Sequence, residues 1–564
     1  MNVRLLFGGL LCALMALPGV SGCRPTPASV PPPAVPVAQS AGRSSGWFED
    51  IARPAGIDFA LGHGGKTPLV VLEVMAAGVA IADFDGDGWM DLFLVGQEGT
   101  GNTGRCALYR NLGNERFQDV TAGSGLEAPG YYMGCAVGDL DNDGRPDLLV
   151  TGYGVNRLYR NRGNFRFVDV TRQSGLESPS PTSWHTSASF ADIDNDGRLD
   201  VYIGRYVIFH DKTVQLCDYG KLQASCGPLF YDPQIGSLYR NLGGFRFKDV
   251  TRQMGVDQAK GKCLGVAFAD VNGDGWSDFY LANDEMPGDL FINEKGRTFR
   301  EEAVMTGVAL SAAGQVQGAM GIDWGDYNRD GLLDLIVTTF HFEPTSLYAA
   351  TRDGVFQNRN VEAGLDQPSR PYVGFGVKWV DLDNDGWLDL PVANGHIHDN
   401  QELIDKFSAY RQPIQLFMNQ QGRTFVERTA EAGPGFSTPA VGRGLAVGDL
   451  NNDGLQDLVV CDLEGPVRVL INRMTGTGNW VRVKLEGTRS NRMGIGAQVR
   501  VVAGGRTYLA EARTDGSYLS SNDPRVHIGL GKARPERLEV RWPSGRKTVL
   551  SRPPVNRELT IREP

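Results

Sequence analysis

Asp83-Phe84-Asp85-Gly86-Asp87-Gly88-Trp89-Met90-Asp91 sets carboxylates at positions 1, 3, 5 and 9 of one short stretch, with glycine at position 6. Alternate residues of a tight loop point inward together, so Asp83, Asp85, Asp87 and Asp91 are expected to converge. Carboxylates that close repel one another unless a cation lies between them. Ca²⁺ takes six to eight hard oxygen ligands at about 2.4 Å, and glycine permits the sharp turn that brings them round. A solvated acidic turn is the bland alternative for any single copy.

The stretch is not single. Asp-x-Asp/Asn-x-Asp-Gly-x-x-Asp starts at Asp83, Asp139, Asp192, Asp270, Asp326, Asp381 and Asp449, at spacings of 56, 53, 78, 56, 55 and 68 residues. The second and third copies offer Asp139, Asp141, Asp143 and Asp147, then Asp192, Asp194, Asp196 and Asp200. The fourth and fifth offer Asp270, Asn272, Asp274 and Asp278, then Asp326, Asn328, Asp330 and Asp334. The last two offer Asp381, Asp383, Asp385 and Asp389, then Asp449, Asn451, Asp453 and Asp457. Positions 1, 3, 5 and 6 follow the front of an EF-hand loop, with the closing carboxylate at 9 instead of 12. Asn272, Asn328 and Asn451 supply no charge, so their loops are expected to bind more weakly. Up to seven Ca²⁺ are predicted; seven would turn the net charge of −10 into about +4, which makes calcium structural.

A fixed period of this size marks a repeat architecture. A short strand such as Gly134-Cys135-Ala136-Val137-Gly138 precedes each loop, and one such as Leu148-Leu149-Val150 follows it. Leu-Tyr-Arg-Asn comes next at 108–111, 158–161 and 238–241, then Phe-x-Asp-Val-Thr at 117–121, 167–171 and 247–251. Four strands per unit make a propeller blade. The seventh unit ends at Val469-Leu470-Ile471-Asn472 without its Phe-x-Asp strand, and Trp47-Phe48-Glu49-Asp50-Ile51 supplies the missing piece. The fold class is therefore all-β: a seven-bladed propeller over 47–473, with calcium loops joining the first and second strands of each blade.

On the opposite face fall both long insertions, 205–236 and 394–413, together with His63, His185, His210, His341, His396 and His398. Long loops on a rigid scaffold commonly carry binding. The plainer account is that polar residues collect wherever loops are long, since these histidines belong to different blades and have no helical metal-ligand spacing.

Residues 1–22 read as an export signal, with Arg4 ahead of an apolar run that is too short to span a bilayer. Val20-Ser21-Gly22-Cys23 resembles a bacterial lipobox, which makes Cys23 the lipid acceptor and ties the chain to the cell envelope, at the outer membrane in a Gram-negative cell. Residues 23–46 form a Pro-rich tether. Export permits disulfides. Cys217 and Cys226, in one insertion, are the preferred pair, with Cys106 and Cys135 a weaker one. Glycine contributes 73 residues, near twice ordinary usage, and apolar residues 41%, which excludes wholesale disorder and suits many turns. The acidic balance argues against nucleic acid as a partner.

Over residues 473–564 the charge reverses to +10, leaving −20 on what precedes them. Val481, Val483 and Leu485 alternate with Arg482, Lys484 and Glu486, so 474–564 reads as a small β-sandwich with one wet face. Its positive surface suits anionic glycans or headgroups, or docking on the acidic propeller.

These motifs resemble FG-GAP/VCBS repeats, the blades of integrin α-subunit heads, although of the literal Phe-Gly-Gly-Ala-Pro only Phe375-Gly376 is echoed. Asn479-Trp480-Val481, Ser490-Asn491-Arg492, His527-Ile528-Gly529-Leu530-Gly531 and Arg541-Trp542-Pro543-Ser544-Gly545 resemble the ASPIC/UnbV domain. The pair is similar to the cartilage acidic protein family, which implies a secreted calcium-binding propeller with no established reaction. The leading expectation is a non-enzymatic protein for adhesion or for binding a protein or glycan at the cell surface. The alternatives are an extracellular lyase or hydrolase using His396, His398 and Asp399, and a scaffold subunit of an envelope complex.

Overall fold

The computed structural model describes residues 46–62, 67–96, 98–99, 102–210 and 216–564. The export signal, Cys23, the tether up to residue 45 and His63 lie outside the described residues.

Among the described residues, seven antiparallel sheets of four strands follow one another, one per acidic loop, the fourth gaining a short fifth strand, Gln317–Gly318. The first comprises Val79–Ala82, Asp91–Leu94, Ala107–Asn111 and Phe117–Asp119. The innermost strand of each sheet touches that of the next, and the seventh touches the first, so the ring closes. Inner strands are buried on both faces because neighbouring blades sandwich them; hence Asp147–Gly152 carries the run Leu148-Leu149-Val150 and not an alternation. Outer strands such as Phe117–Asp119 bury only their first residue.

Closure falls to the N-terminal strand. Phe48–Asp50 pairs antiparallel with Arg468–Asn472, with Phe48 opposite Asn472. Phe48 is fully buried, its ring 4.9 Å from that of Phe436, which is worth about 1.5–3 kcal/mol of apolar burial. The strand also covers an edge that would otherwise be free to pair with another chain.

The C-terminal module is two sheets around one core. Val526–Gly531, Asn479–Glu486 and Glu558–Arg562 form one sheet. Arg506–Glu511, Gln498–Ala503, Pro535–Arg541 and Lys547–Ser551 form the other. Val483, Val499, Val540 and Trp542 fill the space between them. The module sits on the acidic-loop face of the propeller. The Arg482 guanidinium is paired with Asp449, and Arg525 donates to the Asp449 carbonyl at 3.0 Å. Arg541 donates to the Gly273 carbonyl at 3.0 Å, and Gln498 Nε2 to Asp270 at 3.2 Å. The module's positive charge is thus turned, in part, onto the propeller's negative one.

From the module, the connection between its strands Arg506–Glu511 and Val526–Gly531 enters the channel of the ring. Ile81 and Cys135 donate backbone N–H groups to the carbonyls of Ser521 and Leu519, each at 3.0 Å. Phe268 N–H donates to Asp515 at 2.8 Å, and Ile322 and Ser517 exchange two backbone bonds. Val377 N–H donates to Ser517 Oγ, Val447 N–H to Asn522 Oδ1, and Ser189 to Asp515. One segment therefore bonds to the inner strand of every blade. Its tip, Tyr518, is fully buried, with its hydroxyl donating to the Met75 carbonyl at 2.7 Å.

Cys217 and Cys226 are joined by a disulfide across the end of the hairpin Leu216–Tyr219 and Leu222–Ser225. Cys106 and Cys135 are not paired, which corrects the weaker expectation for them. They share one apolar cluster, but Cys106 Sγ accepts the N–H of Gly96 while Cys135 Sγ faces the Leu519 carbonyl.

Candidate functional site

The seven acidic loops are built alike. Oδ2 of the position-1 aspartate accepts the N–H of the position-6 glycine in every copy, from Gly88 on Asp83 at 3.0 Å to Gly454 on Asp449 at 2.7 Å. Those glycines have φ between 85° and 95°, a left-handed turn in which a Cβ would be strained. Oδ1 of the position-5 aspartate accepts the N–H two residues on, as Trp89 on Asp87 at 2.9 Å.

The position-9 aspartates are fully or almost fully buried and hold the blade together. Asp91 accepts the N–H of Phe84 at 2.9 Å and of Asn111 at 2.8 Å, so one side chain fastens the loop to the third strand. The same two bonds recur at Asp147, Asp200, Asp278, Asp334, Asp389 and Asp457.

In four loops three carboxylates bring ligand atoms within 4.8 Å of one another: Asp83, Asp85, Asp91; Asp139, Asp141, Asp147; Asp192, Asp194, Asp200; and Asp381, Asp383, Asp385. These are the four copies without asparagine. Oδ1 atoms of Asp141, Asp194, Asp270 and Asp381 are buried without a hydrogen-bond donor, the condition of a carboxylate oxygen shaped for a cation. Burial, before the repulsion between neighbouring carboxylates, pushes Asp91 and Asp147 up to about 8, Asp192 to about 7 and Asp139 to about 6. A hard divalent ion would reverse that penalty by supplying the missing charge. In the seventh loop the Arg482 guanidinium takes the side of Asp449, and Asn451 Nδ2 donates to Asp453 at 2.9 Å.

The last residue of Leu-Tyr-Arg-Asn has a role that the strand pattern did not reveal. Asn111 Nδ2 donates to the carbonyl of Leu450 in the last blade at 2.8 Å, and Asn161 Nδ2 to that of Phe84 in the first at 2.9 Å. Asn241, Asn293, Asn419 and Asn472 reach the preceding blade in the same way. The fifth blade has Ala350 there, and its seam is crossed by Trp324 Nε1, 3.4 Å from the Ala267 carbonyl. The repeated asparagine was visible; its partner, in another blade, was not.

On the opposite face, three of the six histidines come together, His341 from the fifth blade and His396 and His398 from the sixth. His398 N–H donates to His396 Nδ1 at 3.0 Å, and His396 Nε2 lies 3.2 Å from His341 Nδ1. His398 is held by Gln401 and by the Ser225 carbonyl, 3.3 Å and 3.1 Å away. Asp399 accepts the Leu69 N–H at 3.4 Å instead of orienting either ring. Burial lowers the basicity of His396 and His398, so both are neutral spacers at pH 7. His185 is apart, buried against the Gly152 carbonyl, and burial pushes it down to about 3. Arg443, also fully buried, lies 3.9 Å over the Phe375 ring. It donates to the carbonyls of Val74, Gly395, Gly442 and His396, which fixes the histidine-bearing segment to the last blade.

The hairpin bearing the disulfide leaves the third blade and crosses this face to the sixth. Asn400 Nδ2 donates to the Gln223 carbonyl at 2.8 Å, and the rings of Tyr219 and His398 are 5.2 Å apart. Beneath it lies a cavity of about 230 Å³. Around it, Leu229, Phe230, Phe342, Leu403 and Phe407 expose more than half their surface.

The chain carries FG-GAP-like repeats and a C-terminal ASPIC and UnbV module, in keeping with this propeller and its cap. The model of the FG-GAP-like repeat matches residues 83–150, 139–203, 270–337 and 398–460, and that of ASPIC and UnbV matches 487–564. Cartilage acidic protein 1 of Homo sapiens is 25% identical over 510 residues, covering 83% of this chain and 69% of that one. Integrin alpha-3 of Mus musculus is 33% identical over 140 residues, 24% of this chain and 12% of that one. Among solved structures, the BP39L lectin from Burkholderia pseudomallei aligns with a TM-score of 0.42 at 10% identity, over 71% of this chain and 97% of that one. Among the described residues no helix is long and apolar enough to cross a membrane.

Proposed function

We propose that this is an exported, calcium-stabilised binding protein, lipid-anchored through Cys23 to the cell envelope, that recognises a protein or glycan with the face opposite its acidic loops. The observation that carries the reading is the asymmetry of the two faces. The C-terminal module covers the acidic-loop face, while the other face bears both insertions and the exposed apolar side chains of Leu229, Phe230, Phe342, Leu403 and Phe407. Exposed apolar residues clustered on long loops mark interaction surfaces. Calcium has a structural task in this reading, at the four loops whose carboxylates converge first, with the asparagine-bearing loops weaker. Similarity to cartilage acidic protein 1 and to an integrin α subunit supports a place outside the cell.

The test is a glycan and protein array probed with the 47–564 fragment, with calcium and after chelation. Binding that needs calcium and is lost in a Phe230→Asp, Phe407→Asp double variant of unchanged melting temperature is expected. Binding that survives this variant, or none at all, would reject the assignment of the face. An unchanged melt of the calcium-loaded protein on chelation would reject the role of calcium.

A further inference from the structure

We propose that the cavity beneath the disulfide-pinned hairpin binds a small organic cation: an ammonium group on an apolar body. This rests on the reading of that face as the recognition face and names a ligand class for it. The walls are apolar and aromatic, with Met75 and Met320 on the floor and Tyr219, Phe230 and Phe340 around them. Methionines adapt to bodies of different shape, and aromatic faces attract ammonium groups.

The charged groups on this lining are of one sign, beside the His398 ring and the hydroxyls of Tyr206 and Tyr219. Asp284 and Glu285 are consecutive in the strand Asp278–Met286, and both line the cavity. Asp284 is anchored by the Tyr206 hydroxyl, which donates to it at 2.5 Å. Glu285 is different: among the described residues no hydrogen bond or ion pair holds its half-buried carboxylate. Its backbone has φ 54°, at the bulge between the pairs Asp284–Gly318 and Met286–Gln317.

Behind these two stands Glu343, which accepts the Gly318 N–H at 3.0 Å. The nearby ammonium is that of Lys262, buried and donating to the Pro228 carbonyl at 2.9 Å. Three carboxylates against one lysine leave the pocket short of positive charge. Burial accordingly pushes Asp284 and Glu343 up to about 7 and raises Glu285.

Other ligand classes fit less well. The charged groups that an anion would meet on the lining are carboxylates. A sugar could pair hydroxyls with those two carboxylates, but the rest would face methionine and aromatic walls unpaired. A bare Ca²⁺ needs six or more oxygens, and this lining supplies few.

The experiment is calorimetric titration of the calcium-loaded chain with benzyltrimethylammonium. Phenethylammonium serves as a second cation, with 4-phenylbutyrate and benzyl alcohol as the anionic and neutral counterparts. One saturable site for the cations and none for the other two is expected. Glu285→Gln should weaken cation binding roughly tenfold or more, the scale of losing a charged partner. Glu285→Gly should lose binding while the melting temperature holds or rises, because glycine adopts a positive φ freely; this separates binding from folding. Absence of saturable cation binding, or equal affinity in Glu285→Gln, would overturn the inference. If array binding then persists in Glu285→Gln, recognition by the face stands and only the ligand class falls. Absence of both cation binding and array binding in the unaltered chain would end the two readings together.

Discussion

Asn161 joins two blades through one side chain. Its Nδ2 donates to the Phe84 carbonyl at 2.9 Å and to the Pro146 carbonyl at 3.0 Å, while its Oδ1 accepts the Gly163 N–H at 2.8 Å. The residue is buried, so water cannot replace these bonds. Asn161→Ala is therefore expected to lower stability by about 1–3 kcal/mol, the cost of stranding buried polar groups. Asn161→Asp should cost at least as much, because a carboxylate would turn an acceptor toward two carbonyls. The urea midpoint measures both, and an unchanged midpoint for either would show that the blades are held by apolar packing alone. The sequence shows the asparagine six times but conceals why it recurs, since its acceptor lies in the preceding blade. The histidines pose the same difficulty. His341 and His396 are 55 residues apart and meet only because adjacent blades place their loops side by side.

At the scale of elements, two pieces of chain hold the ring from outside its repeat pattern. The strand Phe48–Asp50 was legible, because the last unit lacks a Phe-x-Asp strand and the N-terminus has one to spare. The connecting segment in the channel was not. Gly516, Ser517, Ser520 and Ser521 look like any loop, and Ser517 meets the fifth and sixth blades while Ser521 meets the first and second, so no periodicity can announce the segment. Only the charge of +10 over residues 473–564 hinted that the module docks on the acidic propeller. Removing the module should expose the channel and leave Ser187, Ser189 and Lys378 without Leu519, Asp515 and the Asp515 carbonyl. A chain ending at Arg473 is expected to aggregate and to bind a hydrophobic dye. Tyr518→Phe, which strands the buried Met75 carbonyl, should cost about 1–3 kcal/mol. Gel filtration and dye fluorescence decide; a monomeric, dye-silent propeller would mean that the segment fills the channel without supporting it.

For the whole molecule, the aspartates couple folding to protons and, in the calcium reading proposed above, to cations. The unfolded chain titrates these carboxylates near 3.8, whereas burial in the folded chain pushes Asp139 up to about 6, Asp192 and Asp326 to about 7, and Asp91 and Asp147 to about 8. Between about pH 4 and pH 8 the folded, cation-free chain therefore binds more protons than the unfolded one. The stability this confers is complete below the lower limit and is lost as the pH rises through the upper. A divalent cation held by the same oxygens competes with those protons, so its contribution grows in the opposite sense. In chelator the melting temperature should fall from pH 5 to pH 8, and the increase on adding calcium should be larger at pH 8 than at pH 5. Thermal melts at four pH values, each with chelator and with saturating calcium, give both curves. An increase that is the same at both ends would place the stabilising ions away from the buried carboxylates at positions 1 and 9, and the acidic loops would then be held by their backbone hydrogen bonds alone.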